Sequence, residues 1–286
     1  MLLAAYLLSL LYSCNTESAT NQSVRVERDG TTIACQRCGT GDTTLLFIHG
    51  WCINKEYWDE QVKAFCPRYT VVTIDLPGFG ASGHNRKEWS FANYTEDVKK
   101  VIDELRLKNV ILIGHSMSGD IILQAGNRYP EKLIGIVGID NLQSPVAPMP
   151  EEQQKQYAAF FDQLSRQFDS TVNQFMRGSL FQPSTPAAVA ERVMNNVFTA
   201  DSVIAIQVLR ELYKTSQDEQ ILMRGLSHRL RLIASDVVPV QVDSLNRYCA
   251  KGFSLETIHG SGHYPMLEQP AAFNAALQRT IDAIGH

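Results

Sequence analysis

Short apolar runs alternate along this chain with longer stretches whose apolar positions recur at helical spacing. Residues 23–36 alternate apolar and polar around Asp29-Gly30, which predicts a hairpin of two antiparallel strands. Thr43 to Ile48, Tyr69 to Ile74, Val110 to Ile113 and Ile134 to Ile139 are continuous apolar runs, the mark of strands buried on both faces. Between them, residues 55–65 (Tyr57, Trp58, Val62, Phe65) and 93–105 (Val98, Val101, Ile102, Leu105) carry a helical period. So does the stretch after Ser116 up to Arg128, with Pro130 as a stop. Leu230 to Ala234 and Ser254 to Ile258 add two more strands, and residues 271–284 a closing helix. Alternation on this spacing predicts an α/β fold, a mostly parallel central sheet flanked by helices.

The pattern changes at Pro145. Residues 151–168, 170–178, 187–197 and 202–212 read as helices, punctuated by Pro148, Pro150, Pro183 and Pro186, with no convincing strand among them. An insertion of this kind is the natural place for a helical cap over a pocket. The expected organisation is therefore a core of residues 23–144 and 217–286 and a cap of residues 145–216. Of the cap aromatics, such as Phe160, Phe168, Phe175 and Phe181, most are expected to pack the cap onto the core and a few to line a site.

Residues 1–12 are uncharged and almost wholly apolar. A dozen such residues fall short of the roughly 20 that a bilayer core demands, but they suit the apolar centre of a secretory signal. Residues 1–22 therefore read as an export segment and tether. Leu11-Tyr12-Ser13-Cys14 resembles the lipobox of bacterial lipoproteins, and the resemblance implies a lipidated Cys14 that tethers the chain to a membrane. A plain cleaved signal, or an untrimmed apolar N-terminus of a soluble protein, is the alternative. Export is favoured, which would make the protein periplasmic or membrane-anchored.

At 286 residues, 44% hydrophobic, the chain is long enough for one large α/β domain with an insertion. A formal net charge of -4 and the lack of a Lys/Arg cluster argue against a nucleic-acid partner. Cys35-Gln36-Arg37-Cys38 has metal-ligand spacing but no second Cys/His pair nearby, so no metal site is expected. Beyond Cys14 the cysteines number five, and an odd count gives no tidy disulfide framework, so Cys35 and Cys38 are read as incidental thiols.

The chemistry concentrates after the run Val110 to Ile113. Gly114-His115-Ser116-Met117-Ser118 makes a turn of small residues between a buried strand and an apolar helix. A serine at such a turn projects its hydroxyl away from the sheet, and the amides that open the next helix point to where an oxyanion would form. Serine needs a base. Of the seven histidines, His263 stands in a glycine-rich loop, Gly260-Ser261-Gly262-His263, directly after the last strand. Loops at the carboxyl ends of parallel strands are where such sheets gather their reacting groups.

The turn at Ser116 resembles the nucleophile elbow of the α/β-hydrolase fold, with Ser118 where that family usually has glycine. Gly260 to Pro270 is similar to the family's histidine loop, and His49-Gly50-Trp51 and Asp75-Leu76-Pro77-Gly78 to two more of its loops, in the family's order. The resemblance runs from about residue 42 to the C-terminus. It implies a serine hydrolase, esterase-like, with Ser116 as nucleophile, His263 as base, and the amides of Met117 and Trp51 as the oxyanion hole. The Trp51 indole would sit near the pocket mouth.

Two acids compete for the third place. Asp236 follows the strand Leu230 to Ala234 in a segment like the family's usual acid loop, though shorter; Asp140 ends the strand Ile134 to Ile139, where the haloalkane dehalogenase branch carries its acid. Asp236 stands slightly ahead. The implied reaction is cleavage of a small carboxylic ester or related acyl bond, without metal or organic cofactor. Carbon–carbon bond hydrolysis, a haloperoxidase-like activity on the same residues, and a ligand-binding protein with a slow triad are the alternatives.

Overall fold

The computed structural model describes residues 21–145 and 150–285. The apolar N-terminal run and Cys14 lie outside the described residues. Eight strands form one sheet in the order β1-β2-β4-β3-β5-β6-β7-β8. They are β1 (Gln22–Arg28), β2 (Thr31–Cys38), β3 (Thr44–Ile48), β4 (Thr70–Ile74), β5 (Val110–His115), β6 (Leu133–Ile139), β7 (Leu230–Ala234) and β8 (Phe253–Thr257). β1 and β2 form the predicted antiparallel hairpin, with Asp29 and Gly30 both at positive φ in its turn. β2 pairs antiparallel with β4, and every pair from β4 to β8 is parallel. This is the α/β architecture read from the sequence.

The apolar runs became strands because both sheet faces are covered. All five residues of β3 and of β4, and all six of β5, are buried. Each large aliphatic side chain so removed from water contributes about 1.5–3 kcal/mol. The covering helices of the core are α1 (Asp59–Phe65), α2 (Phe91–Glu104) and α3 (Ser118–Arg128), and near the end of the chain α9 (Val242–Tyr248), α10 (Pro265–Glu268) and α11 (Pro270–Asp282). Between β6 and β7 run α4 (Glu151–Arg166), α5 (Phe168–Ser179), α6 (Ala187–Thr199), α7 (Ser202–Thr215) and α8 (Glu219–Gly225). The first four correspond to the helices expected between Pro145 and Ser216; α8 was not foreseen, because Glu219–Gly225 is too short to show a helical period. It packs back on α3.

One linkage departs from the sequence reading. Cys38, at the end of β2, is disulfide-bonded to Cys66, just past α1, with a Cα–Cα separation of 5.7 Å. Cys35, three residues earlier on β2, stays a buried thiol, as do Cys52 and Cys249. Cys38 and Cys66 are 28 residues apart, so their pairing depends on how β2 and α1 pack and leaves no spacing signal in the sequence.

β3 is the point from which the sheet grows both ways, β4 on one side and β5 on the other. The carboxyl ends of β3 and β5 therefore face one crevice, where such sheets bind their ligands.

Candidate active site

His49-Gly50-Trp51 leaves β3 and Ser116 leaves β5, so the two turns meet at that crevice. They meet closely. A Cβ on Gly50 would lie 2.6 Å from His115 Nδ1 and 3.1 Å from Ser116 Cβ, so no larger residue fits there without displacement. The Ser118 hydroxyl donates to the His49 carbonyl at 2.5 Å, which gives the unusual serine at this position a structural task. Gly114, one turn back, would set a Cβ 2.7 Å from the Ser118 carbonyl oxygen. Ser116 itself takes φ +53, in the left-handed region that L residues seldom occupy. Its amide is held by the Ile139 carbonyl at 3.0 Å, and its carbonyl accepts from Gly119 N at 2.9 Å and from Asn141 Nδ2 at 2.9 Å.

His263 reaches Ser116 from 147 positions along the chain. Its Nε2 lies 2.8 Å from Ser116 Oγ. The loop that carries it is braced from several sides. Glu268 accepts from the amides of Gly262 and Tyr264 at 2.7 and 3.1 Å, and from the Thr185 hydroxyl at 3.0 Å. The His263 amide donates to Leu180 O, 3.2 Å away in the inserted segment. Beneath it, His115 Nε2 lies 2.8 Å from the His263 carbonyl, which can only accept, so Nε2 carries the hydrogen. Burial, reinforced by the nearby His263, lowers the His115 imidazole to about 3, so it is neutral here.

The other nitrogen of His263, Nδ1, is hydrogen-bonded to Asp140 Oδ2. Asp140 follows β6 at φ +48, a strained turn that aims its carboxylate along the sheet edge. Its Oδ1 accepts from Ser235 N at 2.8 Å, Ser235 Oγ at 2.7 Å and Gln143 Nε2 at 3.3 Å. Burial alone would raise this carboxyl. The His263 hydrogen bond and charge, with the Ser235 donors, outweigh it and hold the group at about 2.

Asp236, set slightly ahead of Asp140 in the sequence reading, is outside this line. The turn after β7 is short and leaves Asp236 beside the end of β8, where its Oδ2 accepts from Gly260 N at 2.6 Å and its Oδ1 lies 3.1 Å from His259 Nδ1. Gly260's amide and then His259 hold that carboxyl below its usual range. It braces the base of the histidine loop.

Met117 follows Ser116 in the chain and Trp51 follows Gly50, and among the described residues no backbone hydrogen bond outside helices and strands engages the amide of either one. The Trp51 indole is not at an open mouth. It is 8% exposed and donates to Ala205 O of α7 at 2.8 Å, tying the loop after β3 to the insertion. No group of His, Cys, Asp and Glu suited to a metal ion occurs among the described residues.

Comparison with known proteins decides the family. The sequence profile described as alpha/beta hydrolase fold matches residues 43–184. The chain is an α/β-hydrolase. A pimeloyl-[acyl-carrier protein] methyl ester esterase of Edwardsiella ictaluri is 27% identical over 258 residues, covering 86% of this chain and 95% of the relative. Among solved structures, a thermophilic esterase from Thermogutta terrifontis superposes with a TM-score of 0.78 at 19% identity, covering 92% of this α/β-hydrolase and 99% of that chain. A bromoperoxidase from Bacillus anthracis has the same TM-score of 0.78 at 18% identity, with 92% and 100% covered.

Ser235, Gln143 and Asn141 escaped the sequence reading. Ser235 and Gln143 bond the Asp140 carboxylate and Asn141 the carbonyls of Gly114 and Ser116, and short polar residues in turns carry no pattern that marks such contacts.

Proposed function

We propose that this α/β-hydrolase cleaves carboxylic esters through an acyl-enzyme on Ser116. The observation that carries the reading is the unbroken hydrogen-bonded line from Ser116 Oγ through His263, at 2.8 Å, to the buried carboxylate of Asp140. His263 takes the hydroxyl proton as Ser116 attacks the carbonyl carbon. Asp140 fixes the imidazole with Nδ1–H toward itself, leaving Nε2 as acceptor, and stabilises the imidazolium that forms. The negative charge gathered on the carbonyl oxygen meets the amides of Met117 and Trp51. The imidazolium then gives its proton to the departing alcohol, and a water deprotonated by His263 releases the acid. The esterases among the similar proteins support this reaction class. In a p-nitrophenyl butyrate assay the wild-type protein turns over and Ser116→Ala does not, with an unchanged circular-dichroism spectrum. Undiminished turnover by Ser116→Ala overturns the proposal.

Export is proposed as well. The apolar run of residues 1–12 and the Cys38–Cys66 disulfide both support it, since disulfides persist mainly in oxidising compartments. Lipidation at Cys14 would add a membrane tether. Globomycin-sensitive processing and labelling by a radioactive fatty acid, lost in Cys14→Ala, test that tether.

A further inference from the structure

Ser116 and Met117 open onto a cavity of about 210 Å³ whose wall also includes Asp120, Gln143, Leu212 and Glu219. Two carboxyl side chains and an amide here are almost wholly withdrawn from water: Asp120 and Gln143 are 2% exposed and Glu219 is 7%. Asp120 stands in the first turn of α3, and Glu219 opens α8, which packs on it. Among the described residues, Asp120 Oδ1 and Gln143 Oε1 have no hydrogen-bond partner. The Gln143 amide nitrogen is committed to Asp140 at 3.3 Å, which leaves its oxygen as the free end. Among the described residues, no lysine, arginine or histidine lines the cavity.

Unmatched buried oxygens are costly, and a hydrogen-bond donor placed in the cavity would satisfy both the Gln143 amide oxygen and the ionised Asp120. Neither carboxyl is needed by the Ser116–His263–Asp140 line. Burial, and then the charges of Glu219 and Asp218, push the Asp120 carboxyl well above its usual range, so it ionises readily only with a cation beside it. An alkylammonium carries three donors, no acceptor and the positive charge that favours the ionised carboxylate. A carboxylate-bearing ligand would meet two acids and no cation.

Resting on the ester-hydrolase reading, we infer that this acidic end of the cavity selects esters bearing an alkylammonium group. Asp120 and Gln143 would receive its hydrogens and Glu219 would add field. These are specificity-determining residues; the reacting bond remains the ester at Ser116.

The test uses matched p-nitrophenyl esters of 6-aminohexanoate, hexanoate and adipate, and matched butyrates of ammonium-bearing, neutral and carboxylate-bearing alcohols. Expected is a kcat/KM order of ammonium over neutral over carboxylate in at least one set, each step about tenfold or more. In Asp120→Asn the ammonium preference shrinks toward one; Glu219→Gln, which keeps size and removes the charge, shrinks it partly and serves if Asp120→Asn does not fold. A flat or reversed charge series in both sets overturns the inference alone, as does a preference undiminished in both variants. Failure of the wild type to hydrolyse any of these esters, with no fluorophosphonate labelling of Ser116, overturns the hydrolase reading and the inference together.

Discussion

Ser235 donates to Asp140 Oδ1 twice, from its amide at 2.8 Å and its hydroxyl at 2.7 Å, and so leaves Oδ2 for His263 alone. β7 thus supplies donors to an acid that β6 carries. Ser235→Ala removes one donor from a buried carboxylate, a loss of about 1.5–3 kcal/mol in a charged hydrogen bond. Part of that falls on the orientation of His263. Turnover is expected to drop roughly tenfold or more with KM little changed, as measured by kcat and KM on p-nitrophenyl butyrate. Wild-type kinetics in the variant would show that Ser235 only fills space.

The same geometry separates the two acids. Asp140→Asn keeps size but cannot hold the imidazolium, and losses on the order of 10⁴ in kcat follow from such a change. Asp236→Asn disturbs a half-exposed brace at Gly260 and His259, and should leave kcat close to wild type. Measuring both variants side by side distinguishes the assignments, since a reversed order would place the working acid on the β7 turn.

Gly50 has no room for a methyl group against His115 Nδ1, at 2.6 Å, and Ser116 Cβ, at 3.1 Å. His115 is buried and bonded to the His263 carbonyl, so it cannot swing aside cheaply. Gly50→Ala is therefore expected to cost about 1–3 kcal/mol through overpacking and to lower kcat by displacing Ser116. Thermal unfolding and ester turnover read the two effects. An unchanged melting temperature with full activity would contradict the contact.

Acid sensitivity should trace in part to His115. Its folded pKa, about 3, lies below the ordinary histidine value, so as pH falls the unfolded chain takes up a proton that the folded chain refuses. The stability is therefore complete above about pH 6.5 and is lost progressively as pH falls from there toward 3, with a slope near 1.4 kcal/mol per pH unit for one proton. His49, also lowered by burial, steepens the same limb. In urea titrations across this range, His115→Gln should flatten the slope by about one proton, whatever its effect on absolute stability.

Cys38 and Cys66 should be recovered as a cross-linked peptide pair when the protein is unfolded in an alkylating agent without reductant. Cys35, Cys52 and Cys249 should carry the label. Closing a loop of 28 residues constrains the unfolded chain by about 3.5 kcal/mol, so reduction should lower the melting temperature.

What was legible in the sequence was what is local. β5, the turn at Ser116 and α3 form one continuous stretch, and the glycines around His263 mark a loop that no strand or helix could use. Both announced themselves by spacing. The choice between Asp140 and Asp236 did not, because it depends on a strained φ at Asp140 and on Gly260 capturing Asp236, contacts between turns far apart in the chain. Asp120 did leave a trace, an acid inside the apolar helical run Ser118 to Leu123. Its meaning needed α8, too short to read, to bring Glu219 beside it.

The central claim is that Ser116 becomes covalently acylated. Acid-quenching the wild-type protein during turnover of p-nitrophenyl butyrate, then digesting it for mass spectrometry, tests this directly. A butyryl group on the peptide containing Ser116, absent from Ser116→Ala, is the predicted result. Sustained turnover with that peptide unmodified and the acyl group on another residue would contradict it.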